Sequence, residues 1–115
     1  MATRISIANI ARVSVGVVAM VWAALGLGDA LAAATARGLD AFVGVEIAAN
    51  VALVGTALMA FVGSRRWRAA NTLAMLAVTL VRLYSVLGTG DYLLGAASIA
   101  MLAAVIGIAA VAKTV

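Results

Sequence analysis

The chain has 115 residues, of which 67% are hydrophobic and 10% are charged. Its mean hydropathy is +1.23, and a soluble domain carries about 25% charged residues, so the composition excludes an ordinary soluble fold. The lack of Cys and His excludes disulfides, thiol redox chemistry and the usual zinc sites, and we expect no cofactor. The net charge of +4 does not indicate nucleic-acid binding, because the basic residues form no continuous face interleaved with aromatics.

Four apolar stretches occupy almost the whole chain and predict an all-α fold. We expect a single integral membrane domain over residues 1–115, a four-helix bundle with spans at about residues 8–30, 41–63, 69–88 and 92–112. Gly26 and Gly28, just before Asp29, indicate the end of the first helix. A signal peptide has a similar plan; because the sequence starts at Met1, we expect a retained span instead.

Polar residues mark the connections between the spans. Asp40 is placed to cap the second helix, and Thr89 or Asp91 to cap the fourth. Residues 64–68 form a short basic turn between the second and third spans, and we expect its Trp67 at the level of the lipid headgroups.

The distribution of basic residues predicts the orientation. Six lie before the first span, in the basic turn or after the fourth span: Arg4, Arg12, Arg65, Arg66, Arg68 and Lys113. Only Arg37 falls in a connection on the opposite side. The positive-inside rule therefore predicts an inner-membrane protein with both termini in the cytoplasm. Arg12 is expected to extend its side chain to the inner interface.

Charged residues within the apolar stretches are the strongest indication of a site, because charge inside a membrane segment is costly. Arg82 lies sixteen residues after Arg66, and Asn50 sixteen before it, so both should have about the same depth in the outer half. Glu46 is one helical turn further out, about 6 Å away. We predict that Arg82 and Glu46 form an ion pair and that Asn50 hydrogen-bonds one or both.

This polar cluster is our candidate catalytic or binding centre, and weaker candidates surround it. We expect Tyr84 and Ser85 near Arg82, and three aspartates at the outer helix ends, which either cap helices or ring the mouth of a cavity above Glu46: Asp29, Asp40 and Asp91. The alternative is that Glu46, Asn50 and Arg82 only hold the second and third spans in register.

The chain resembles the DoxX-like group of small bacterial membrane proteins. The resemblance rests on Arg12, on Glu46 early in the second span, on residues 82–85 with the sequence Arg-Leu-Tyr-Ser, and on Gly90. It implies a four-helix membrane protein, and some of these relatives are linked to oxidoreductase systems. The absence of Cys argues against a thiol-redox role here.

Several classes of function remain open. The first is binding of a small lipophilic molecule over a polar floor formed by Glu46, Asn50 and Arg82. The second is a cofactor-free membrane enzyme, such as an isomerase, a cyclase or an epoxide-opening catalyst, that uses a buried carboxylate as general acid or base. The others are a proton-coupled transporter and a structural subunit. The partners we expect are the lipid bilayer and such a ligand, with a homo-oligomer or a larger membrane complex left open.

Overall fold

The computed structural model describes the backbone of residues 2–114 and the side chains of residues 7–111. Its elements are four helices: α1 (Ala2–Arg37), α2 (Ala41–Val62), α3 (Trp67–Thr89) and α4 (Tyr92–Thr114). This confirms the predicted all-α fold. The side chains of Arg4 and Lys113, which contribute to the predicted orientation, lie outside the described residues.

The four helices form a closed ring in which each contacts two neighbours. α2 packs against α1 and α3, and α4 packs against the same two helices. α1 and α3 therefore face each other across the centre of the bundle. The longest dimension of the molecule is 54 Å, which is the length expected for the 36 residues of α1 at 1.5 Å per residue.

Small and apolar side chains fill the interior, and large apolar side chains cover the outside. Ala19, Ala23 and Ala57 are completely buried and allow the helices to approach closely. Leu87 and Leu93 are each 82% exposed, and an apolar exterior of this extent is typical of a lipid-facing surface. Four helices are long and apolar enough to cross a bilayer, at Ile7–Arg37, Ala41–Val62, Trp67–Thr89 and Tyr92–Val111. The fold therefore suggests a membrane protein.

The first helix is longer than predicted. Gly26 and Gly28 do not end it, and α1 continues to Arg37 through an alanine-rich segment with high helix propensity. It ends where Gly38 adopts a left-handed conformation with φ of 86° and donates its backbone N–H to the Ala34 carbonyl over 2.8 Å. As a consequence, Asp29 lies within a helix and not at its end.

Two of the predicted caps are confirmed. Asp40 Oδ1 accepts the backbone N–H of Val43 at 2.8 Å, and Asp91 Oδ1 accepts that of Leu94 at 3.1 Å. By contrast, α3 begins without a side-chain cap. Trp67 is 5% exposed and packs in the core, so it does not project from the bundle; its depth at the lipid headgroups stays a prediction.

Arg12 does not simply reach toward the interface, as its position in the sequence suggested. It is half-buried, and its Nη1 donates to the backbone carbonyls of Ala60 and Phe61 at the end of α2, the second at 2.8 Å. Both carbonyls lie in the last turn of α2, where regular helical partners run out; that of Ala60 also accepts the Gly63 N–H at 3.3 Å. A cation here also complements the helix dipole. Arg12 thus ties α1 to α2.

We expect Arg12→Ala to lower the free energy of unfolding by about 1–2 kcal/mol, because it removes charge-assisted hydrogen bonds at a helix end. The measurement is denaturation of the purified protein in mild detergent. Arg65→Ala is the matched control, since Arg65 is exposed in the basic turn; equal destabilisation by both variants would contradict the capping role.

Candidate functional site

Arg82 occupies the centre of the bundle. It is 7% exposed, and its Nη2 donates to the backbone carbonyl of Trp22 at 3.0 Å. Its guanidinium carbon also lies 4.1 Å from the centroid of the Trp22 ring, which is a cation–π contact. Arg82 therefore joins α3 to α1, the helix opposite it in the ring.

The predicted ion pair between Arg82 and Glu46 is wrong. The side chains that the structure describes form no salt bridge. The reason is geometric: Arg82 reaches across to Trp22 on α1, whereas the prediction considered only the neighbouring helix α2. Glu46 is half-buried on α2 and faces the same cavity as Arg82 without contacting it.

Asn50 bonds the backbone of Glu46 and not the predicted side chains. Its Nδ2 donates to the Glu46 carbonyl at 2.8 Å. Asn50 is 2% exposed, and its Oδ1 is buried with no hydrogen-bond partner. The Asn50 Oδ1 is therefore a free hydrogen-bond acceptor beside Arg82. Leaving a buried amide oxygen without a partner is energetically costly.

Gly26 on α1 makes this arrangement possible. A Cβ atom built at Gly26 would overlap Asn50 Oδ1 and Arg82 Nη2. Only glycine therefore lets the amide of α2 and the guanidinium of α3 meet against the backbone of α1. The glycine that we interpreted as a helix end is instead a point of close approach between three helices.

Above this contact lies a cavity of about 180 Å³ to which all four helices contribute. Its lining comprises Gly26, Asp29, Ala33 and Arg37 of α1, Glu46 of α2, Arg82 and Ser85 of α3, and Leu94 of α4. Among the predicted site residues, the structure thus brings Glu46, Arg82, Ser85 and Asp29 together. Asn50 lies just beneath the cavity, against Gly26.

Two carboxylates and two guanidinium groups share this small space. Asp29 and Arg37 of α1, Glu46 of α2 and Arg82 of α3 all line it. The sequence placed Asp29 at a helix end, either as a cap or at the mouth of a cavity above Glu46; it lies in the cavity wall because α1 continues past it.

A larger cleft of about 490 Å³ adjoins the cavity. The two share Ala33, Arg37 and Ser85 in their linings. The cleft also has aromatic walls, since the Phe42 and Tyr84 rings lie 5.2 Å apart and both line it. Of the remaining weak candidates, Asp40 and Tyr84 line the cleft, whereas Asp91 lines neither space and serves as a cap.

Toward the other end of the bundle, the interior is packed. Leu53, Met75 and Val78 are fully buried. A second polar contact, which the sequence analysis missed, lies deeper in this half: Asn71 Nδ2 donates to Thr56 Oγ1 at 3.1 Å. Its only signal in the sequence was an asparagine in an apolar stretch, as for Asn50.

Comparison with known proteins gives no family for this chain. No protein-family model, no curated protein and no solved structure matches it. The resemblance to the DoxX-like proteins therefore stays a prediction, and functional arguments rest on the cavity itself.

We expect Gly26→Ala to destabilise the protein, because its methyl group must displace Asn50 or Arg82. Gly28→Ala is the control on the same helix: nothing lies within 4 Å of a Cβ there, and alanine favours helix by about 1 kcal/mol over glycine. Thermal unfolding in detergent should move in opposite directions for the two variants. Equal stability of both would contradict the close approach.

Proposed function

We propose that the protein crosses the inner membrane with four helices and keeps both termini in the cytoplasm. The apolar exterior and the four candidate spans support insertion. The excess of basic residues in and around residues 64–68 supports the orientation. In this orientation the cavity around Glu46 opens toward the outer side.

We further propose that this cavity binds the polar group of a small lipophilic molecule. The observation that carries the proposal is that four ionisable side chains line one cavity, while none of them forms a salt bridge with another in the described structure. Charged groups inside an apolar bundle are usually paired or functional. Unpaired charges facing a common space are available to a ligand.

The dimensions of the two spaces favour an amphiphilic ligand. The cavity of about 180 Å³ has room for a compact polar group. The adjoining cleft of about 490 Å³, with Phe42 and Tyr84 in its wall, has room for an apolar body. The head would contact Arg82, Glu46 and Asp29, and the body would lie toward Tyr84.

A second candidate function is cofactor-free acid–base catalysis, such as isomerisation, cyclisation or epoxide opening. It is favoured by the presence of two carboxylates, Asp29 and Glu46, in the same small cavity. Two carboxylates in different surroundings can divide the roles of acid and base. Arg82 and Arg37 would then stabilise negative charge that develops on the substrate.

The orientation is testable because the chain contains no Cys. We expect a single cysteine at Leu39→Cys to react with a membrane-impermeant maleimide added to intact cells, since Leu39 is 74% exposed between α1 and α2. Ser64→Cys, between α2 and α3, should react only after the cells are opened. The reverse pattern would contradict the proposed orientation.

Ligand binding is tested by extracting small molecules from the purified protein with organic solvent and identifying them by mass spectrometry. We expect Glu46→Gln to lose at least 90% of the retained ligand, a loss of about 1.4 kcal/mol, while the protein elutes and unfolds as the native chain does. Asp91→Asn is the charge-matched control, because Asp91 lies outside both spaces.

The same preparation separates the candidate functions. Conversion of a retained or added lipophilic compound by the native chain, but not by Glu46→Gln, would identify an enzyme. Retention without conversion would identify a binding protein. Equal retention by both chains, or none by the native chain, would overturn the proposed site.

A further inference from the structure

The basic end of the bundle carries a surface groove distinct from the cavity. It lies between the start of α3 and the end of α4 and has a volume of about 500 Å³. Its walls are mostly apolar, with Leu73 and Ile106 exposed to 67% and 44%. Arg68 forms its polar end, and Thr72 lies one helical turn further along α3.

Arg68 is held in place at this groove. It is half-buried, and its guanidinium carbon lies 5.8 Å from the centroid of the buried Trp67 ring. Arg65 and Arg66 precede it in the turn between α2 and α3. The uncapped start of α3 adds partial positive charge to the same end of the groove.

No acidic residue of the chain is placed to neutralise this cluster. Asp40 and Asp91 cap α2 and α4 at the opposite end of the bundle, and Asp29 and Glu46 line the cavity at that end. These four are all the acidic residues in the sequence. All four acidic side chains belong to the described part of the chain and lie away from the basic cluster, which leaves the cluster available to an anion from outside.

We propose that this groove binds an anionic phospholipid. The phosphate contacts Arg68, with Arg65 and Arg66 adding attraction, and one acyl chain follows the groove past Leu73 and Ile106. Charge selects the lipid, because each basic residue near an anionic membrane surface contributes about 1 kcal/mol. The inference rests on the membrane insertion proposed above, but not on a ligand in the cavity.

The test is native mass spectrometry of the detergent-purified chain titrated with phosphatidylglycerol or with phosphatidylcholine of the same acyl chains. We expect the anionic lipid to bind at least five-fold more tightly. Arg68→Gln should weaken its binding about five-fold, the effect of about 1 kcal/mol per basic residue. Binding of phosphatidylcholine should weaken less, because its choline cation already offsets the charge of its phosphate. Arg68→Lys, which keeps the positive charge at the groove, is the control and should retain the preference for the anionic lipid.

A second variant tests the acyl chain. Leu73→Ser should weaken binding of both lipids but keep the preference for the anionic one, because it alters only the apolar wall. Equal affinity for the two lipids, or equal effects of Arg68→Gln and Arg68→Lys, would overturn the proposal. Displacement of the lipid by soluble glycerol phosphate would also overturn the proposal, because the acyl chain would then contribute nothing to binding. A dimer that Leu73→Ser dissociates would do so too, because the groove would then bind a second copy of the chain.

Discussion

The fold depends on how a buried guanidinium group is accommodated in an apolar bundle. Arg82 contacts the carbonyl and ring of Trp22 on one side and faces the cavity on the other. An uncompensated charge in an apolar interior is strongly unfavourable. The contact across the ring therefore constrains where α1 and α3 can lie, although these two helices do not pack along their lengths.

The same contact explains why the cavity lies where it does. Asn50 and Arg82 meet against Gly26, and the cavity begins directly above them. Leu53, Met75 and Val78 close the interior at the other end. The result is a space with a polar floor at one end of the bundle and a packed interior at the other.

The sequence predicted the helices well and the contacts between them poorly. Composition and the length of the apolar stretches gave an all-α fold with four spans, and local caps such as Asp40 followed from residue type alone. The partner of Arg82 did not follow, because sequence spacing relates a helix to its neighbours along the chain but not to the helix across the ring. The position of Asp29 at a helix end was predicted wrongly for a related reason. A glycine can end a helix or permit close packing within it, and Gly26 permits close packing.

The contact at Gly26 also bears on how the sequence can vary. The residues at positions 26, 50 and 82 meet in one small space. A larger residue at position 26 therefore requires a shorter side chain at position 50 or 82. Related chains should therefore exchange residues at these positions jointly, because residues in spatial contact co-vary. A natural variant with alanine at position 26 and an unaltered asparagine at position 50 would need a different helix arrangement and hence a different cavity.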